Sequence, residues 1–348
     1  MESSARERPI SRRTTIFAAV AVAAIALVVS AVPARAQVAS NGDAEEENFG
    51  ELTTLVDQPH DASQRRVLYP VRLRFDSRFI VDSDFGSTDA TFYNPRGQLR
   101  LTVPVAEGTA LRFFAEGDAL ISDWDGTTDL FDLGPTSSDP FDTLYSGGLL
   151  LQGVHVVGHS SLLADSEEWA VVGAGRVSSS FESGADFDDS ITGGGSIGVS
   201  YHVDDKVEIV TGVSVSSRLD RNNVRVMPLL SFAWQATDRL RIRGSASGAR
   251  IDFDLNDTVR LFARARIQTE RYRLDRRPGL TGAGTVRDRS IPVGLGVLWK
   301  FHERLRLSLF GGVVAYHQIR TYDGNRDTIR SITSDPAPVF EIRIDLRP

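Results

Sequence analysis

Between Arg289 and Tyr322 the sequence alternates. Ile291, Val293, Leu295, Val297, Trp299 and Phe301 share one parity, then His302-Glu303-Arg304 intervenes, then Leu305, Leu307, Leu309, Val313 and Ala315 share one parity again. A period of two belongs to a strand with unlike faces; helical apolar residues recur every three to four positions. Both arms are longer than most strands of soluble domains, which run about five to six residues. A few polar residues join them, so the unit is a long, tight hairpin.

Much of the chain repeats this unit. The pattern predicts strands over Val67–Ile80, Gln98–Val105, Ala110–Leu120, Leu144–Val157, Glu168–Phe181, Ser190–Val203, Lys206–Ser217 and Val224–Ala236. A short hairpin follows, Leu240–Gly244 and Ala249–Leu255, then Val259–Leu274, the two arms described above, and a last strand. In that last strand Phe340, Ile342, Ile344 and Leu346 alternate with Glu341, Arg343, Asp345 and Arg347. The expected total is about 14 strands, within 12–16, over residues 67–348. Connections fall into two classes. Those on one side are tight, such as Asp204-Asp205 and Thr237-Asp238-Arg239. Those on the other are mostly long and polar: 81–97, the Asp-rich Ile121–Thr143, Asp275–Asp288 and Thr321–Pro336. Short turns on one side and long loops on the other are the arrangement of outer-membrane barrels.

The aromatics give a second test. Tyr69, Trp169, Tyr201, Trp234, Trp299 and Phe301 lie at the short-turn ends of their strands, all on the apolar parity. Amphipathic rings concentrate at a membrane–water interface, so this set reads as one aromatic girdle. A soluble sandwich, the rival architecture, would bury its apolar faces between sheets and has no reason to collect aromatics at one end. The fold expected is therefore all-β, an up-and-down antiparallel transmembrane β-barrel, whose closure also removes exposed edges.

The N-terminus agrees. Arg6, Arg8, Arg12 and Arg13 precede an apolar run from Ile16 to Val32 and an Ala34-Arg35-Ala36 site. This is the pattern of a cleaved secretory signal peptide over 1–36; an uncleaved anchor is the alternative, though the run is short for a span of about 20 residues. Residues 37–66 are acidic and aperiodic, a flexible periplasmic leader. Without the signal the net charge is −10, and the chain has no Cys. Disulfides are excluded, and an acidic balance excludes nucleic acid as a partner. Outer-membrane lipid and the barrel assembly machinery are the expected partners in a Gram-negative-type bacterium.

On the parity opposite the apolar face stand Arg72, Arg74, Arg100, Arg112, Arg225, Arg241, Arg243, Arg260, Arg264, Arg266, Arg306 and Arg343. Asp76, Glu116, Glu208, Glu341 and Asp345 accompany them. Two readings stand. Arg side chains lining a lumen favour anions. Arg paired with carboxylates would instead bridge and stiffen a small lumen. The six His and the Asp-rich loop form no nucleophile motif or metal spacing, and no phosphate loop is present. No catalytic residue, metal site or cofactor is expected.

The run Pro228-Leu229-Leu230-Ser231-Phe232-Ala233-Trp234 with Thr237-Asp238-Arg239-Leu240, the stretch Asn256–Phe262, and Phe301-His302-Glu303-Arg304-Leu305 resemble a bacterial outer-membrane barrel family grouped only as a domain of unknown function. The likeness covers roughly Val224 to Pro348 and implies an outer-membrane location without an assigned activity. The expected role is a passive channel or porin for small solutes with an Arg-lined lumen. The alternative is a closed structural or adhesive barrel that binds a surface partner through its acidic loops.

Overall fold

The computed structural model describes residues 71–85, 88–107, 111–122, 141–160, 167–203, 206–276 and 283–347. The predicted signal peptide, the leader and Tyr69 lie outside the described residues.

Sixteen strands form among the described residues: β1 (Arg72–Phe85), β2 (Thr88–Glu107), β3 (Leu111–Ser122), β4 (Leu144–Ser160), β5 (Glu167–Glu182), β6 (Ile191–His202), β7 (Val207–Arg218), β8 (Arg221–Gln235), β9 (Leu240–Ser245), β10 (Gly248–Asp254), β11 (Val259–Arg266), β12 (Gln268–Arg276), β13 (Ala283–His302), β14 (Leu305–Tyr322), β15 (Thr328–Ser334) and β16 (Ala337–Leu346). A 3-10 turn, Asp188–Ser190, precedes β6. From β1 to β11 each strand is antiparallel to the next. β11 then pairs with β13, β13 with β14, β14 with β16, and β16 with β1. The pairing returns to its start through fourteen strands, and the molecule is an all-β barrel.

The strand expected over Val259–Leu274 is in fact two. The reason lies in the neighbouring hairpin. β9 and β10 are only 6 and 7 residues long, and the pairing of β10 with β11 ends at Gly248↔Arg266. Beyond that level a straight strand would have an empty flank. The Ile267 amide donates to the Ser247 carbonyl at 2.7 Å, and from there β12 keeps β13 as a partner while meeting β5 through one parallel bridge, Arg273↔Phe181. This makes a second closure at the long-loop end: β12, β13, β14, β16 and β1 to β5.

Three of the long loops are likewise corrected. β1 runs on to Phe85 and β2 begins at Thr88, β13 begins at Ala283, and β14 continues to Tyr322 with β15 beside it. The sequences of these extensions show no sustained apolar alternation. Backbone pairing does not require apolar alternation, so apolar periodicity does not mark them. Most of the Asp-rich loop, 123–140, lies outside the described residues.

Burial is inverted relative to a soluble domain. Leu149 is 71 % exposed, Leu295 69 %, Val226 65 % and Ile197 64 %, while Arg74, Asp252 and Asp345 are 2–3 % exposed. The ring therefore has an apolar outside and a charged inside. At the β12 end the order is normal: Phe141, Leu144, Tyr272, Leu274, Val286 and Ile319 form a buried apolar cluster.

Candidate functional site

Two regions of the interior differ in chemistry, and the register explains why. Around β1, β16, β14 and β9 to β11 the inward residues are long and charged. Arg72 donates to Asp345, and Arg74 Nε lies 3.5 Å from the same carboxylate. Arg343 donates to Asp76, Arg264 to Glu341 at 2.6 Å, Arg243 to Asp252 at 2.8 Å, and Arg260 to Asp254 at 2.6 Å. Arg241 donates to the Gln235 side chain at 2.7 Å. Arg250, which sequence reasoning did not single out, shares Asp252 at 3.0 Å.

Aromatic rings are wedged among these ion pairs. Phe262 and Phe310 stand opposite Gly296 on either side of it and stack nearly parallel, 6.2 Å apart. The Arg250 and Arg264 guanidiniums each lie 4.1 Å from one of these ring centroids, close enough for cation–π attraction. Ile80, Leu298, Val314, Ala337 and Val339 complete the cluster. Gly296 is required: a Cβ there would collide with the Phe262 ring. Buried Arg here are held by carboxylates and rings, which offsets the cost of desolvating them.

Toward the long-loop ends of β4 to β7 the inward residues are mostly small. Ser146, Ser178, Ser180, Thr192, Ser196, Ser214 and Ser216 line an open cavity of about 150 Å³, with β12 residues Thr269 to Tyr272 across from them. Hydroxyls face one another there: Ser146 and Ser180 at 2.7 Å, Ser178 and Thr192 at 3.1 Å. Four guanidiniums, from Arg176, Arg218, Arg225 and Arg271, reach the same cavity. Behind them lies Asp220, fully buried, 2.6 Å from Arg218 and 3.1 Å from Arg271. Burial pushes its carboxyl upward, but the hydrogen bond from Arg218 and the charges of Arg271, Arg218 and Arg287 outweigh that and hold it below the ordinary carboxylate value. Burial also pushes the Arg271 guanidinium down to about 10, against the pull of Asp220, so it stays charged near neutral pH.

The predicted inner residues thus separate. Arg72, Arg74, Arg243, Arg260, Arg264 and Arg343 sit in the braced region. Arg225 lines the cavity. Arg100 stands in register with Arg74, Arg266 with Gly248, and Arg306 with Asp345. Arg112 and Glu116 lie on β3, and their side chains fall outside what the structure describes. Of the aromatic set, Trp169, Trp234, Trp299 and Phe301 are exposed at the short-turn end. Tyr201 lies tilted against Trp169 at 4.4 Å, and Trp299 stacks on Phe301 at 4.5 Å. Sequence reasoning passed over Arg176, Arg218, Arg271 and the Ser/Thr/Gly run on one parity of β6, Thr192 to Ser200. The signal was available: a strand whose lipid face is apolar but whose other face is only Ser, Thr and Gly leaves free volume behind it.

A protein-family model matches residues 164–339. The chain belongs to the family described as a domain of unknown function, DUF6268. The DUF6268 region begins well before the stretch that carried the resemblance, and nearly all of the cavity wall lies within it. No curated protein sequence matches the chain. Among solved structures it is similar to the Pseudomonas putida toluene transporter TodX, at 10 % identity and a TM-score of 0.41 over 88 % of this chain and 96 % of that one. A Pseudomonas aeruginosa FadL homologue gives 12 % and 0.42, again over 88 % and 96 %. The KdgM porin gives 7 % and 0.30 over 78 % and 98 %. Likeness at this distance carries no solute across to the DUF6268 chain.

Proposed function

We propose that this DUF6268 protein is an exported outer-membrane barrel of fourteen membrane strands that acts as a passive channel for small anionic solutes. The observation that carries the reading is the inverted burial of a closed ring: Leu, Val and Ile exposed outside, Arg, Asp and Glu buried inside. Water cannot favour that arrangement, whereas a bilayer can. The exposed aromatics at the short-turn end fit an interface girdle. Ion pairs and the Phe262–Phe310 stack obstruct the β1/β11/β14/β16 side, so the open path follows the small residues of β4 to β8. Selectivity then rests on Arg176 and Arg225, since Arg264 serves as a brace.

The test is single-channel conductance of the refolded mature chain in a planar bilayer, with reversal potential in a salt gradient. Discrete steps with anion preference are expected, and Arg176→Ser with Arg225→Ser should weaken that preference. Arg264→Ser should leave it and lower stability instead.

A second reading is a closed structural or adhesive barrel, favoured by β12 lying across the interior. A folded, heat-modifiable barrel without conductance would select it and reject the channel.

A further inference from the structure

We infer that the cavity between β5–β8 and β12 is a binding site for a small hydroxylated anion, with a sugar acid as the chemical class. The first ground is charge. Arg176, Arg218, Arg225 and Arg271 line the cavity, whereas Glu270 is the one carboxylate among its described lining residues. Asp220 adds a second negative charge, but it is fully buried behind Arg218 and Arg271 and is also approached by Arg287 at 3.9 Å. Glu270 accepts the Tyr272 hydroxyl at 2.8 Å. Cations therefore outnumber anions around a partly buried space. An anion entering there relieves mutual repulsion, and guanidiniums suit a carboxylate because they bind it through two parallel hydrogen bonds.

The second ground is the rest of the wall. Away from the Arg cluster it is a field of Ser and Thr hydroxyls, with Ser146 facing Ser180 and Ser178 facing Thr192 across strands; the Thr192 hydroxyl also reaches the Ser178 carbonyl at 3.3 Å. A hydroxyl rotates, and both donates and accepts. Such pairs can open toward the hydroxyls of a ligand without leaving a group unsatisfied. Large apolar ligands are disfavoured, since Leu219, Leu229 and Val215 are the main apolar contributions. The two chemistries together, a cationic corner and a hydroxyl-lined chamber, match a carboxylate attached to a polyol.

This site deepens the channel reading but does not depend on passage through the barrel, so it is tested by binding. Isothermal calorimetry of the refolded chain in detergent micelles would use gluconate, with glucose and acetate as the uncharged and hydroxyl-free comparisons. Gluconate is expected to bind more tightly than either. Arg176→Gln with Arg225→Gln should weaken it about tenfold or more, the scale of losing charge-assisted hydrogen bonds. Heat-modifiable mobility checks that this variant is folded. Ser196→Phe, which fills the chamber without removing charge, should also abolish binding. No heat with gluconate, a response no larger than that of glucose or acetate, or unchanged binding in the double-Arg variant would overturn the inference. Conductance without gluconate binding would reject the site and leave the channel standing; binding without conductance would do the reverse.

Discussion

Glu341 and Gly296 show how individual residues are constrained inside this barrel. Glu341 accepts from Arg264, whose guanidinium also lies over Phe310. Glu341→Ala would leave that Arg without its carboxylate, and removing one member of a buried pair costs about 3–5 kcal/mol. Equilibrium urea unfolding in micelles should show the loss, and a change below 1 kcal/mol (about the median value of a solvated surface pair) would mean that Arg264 is solvated. Gly296→Val should cost about 1–3 kcal/mol through displacement of Phe262, as overpacking does. Asp220 supplies the pH dependence. Its folded value is held below the ordinary 3.8, so its contribution is complete above that value and is lost as pH falls through the depressed one. Hydrogen exchange of β12, corrected for intrinsic rates, should rise once the medium is more acidic than that value, and Asp220→Asn should produce the same rise near neutral pH.

At the level of elements, β12 is the unusual piece. One face carries Tyr272 and Leu274 into the apolar cluster with Phe141 and Val286. The other presents Arg271 to the cavity and to Asp220. Its far end is fastened by Glu182, which is 1 % exposed and accepts the Asp275 amide at 2.9 Å and the Asp142 amide at 2.8 Å. Arg273 adds a hydrogen bond to the Asp189 carbonyl at 3.1 Å. Gly184 permits the adjoining turn, with φ of 94° and Asp275 packed where a Cβ would sit. β12 has a ladder with β13 on one edge but only a single bridge to β5 on the other, so side chains hold that second edge. Tyr272→Ala should cost about 3–5 kcal/mol, the range for deleting a large buried aromatic. It should also raise single-channel conductance, since the strand then no longer seals the nine-strand closure. Unchanged conductance with lowered stability would show that β12 does not limit the path.

For the whole molecule, the closed ring with its apolar exterior predicts collective behaviour. The mature chain should migrate as a compact, heat-modifiable species in mild detergent, and should fractionate with the outer membrane when expressed with residues 1–36. Recovery from the soluble periplasmic fraction would refute the membrane reading. Two closures that share eight strands also predict unequal stability. The fourteen-strand ring has long ladders such as β13–β14 and β4–β5, while the nine-strand closure depends on one bridge between β12 and β5. Exchange should therefore begin at β12 and β15 before reaching the ring.

By itself the sequence determined the strand class, the inside-out polarity and the place of the short β9–β10 hairpin. Each follows from local alternation, because a strand exposes its two faces at every second residue. Pairs such as Arg72–Asp345 and Arg343–Asp76 were foreshadowed by acids on the same parity as the Arg. Tertiary structure alone decided which Arg brace and which face open space. Arg264 meets Glu341 across 77 positions of sequence, and Arg271 meets Asp220 only because β12 leaves the wall at Ile267. That departure follows from how far the neighbouring hairpin reaches, a property of two strands that no period within one strand encodes. The cavity has the same origin: small residues on β5 to β7 offer volume, but only the strand crossing opposite them turns that volume into an enclosed site.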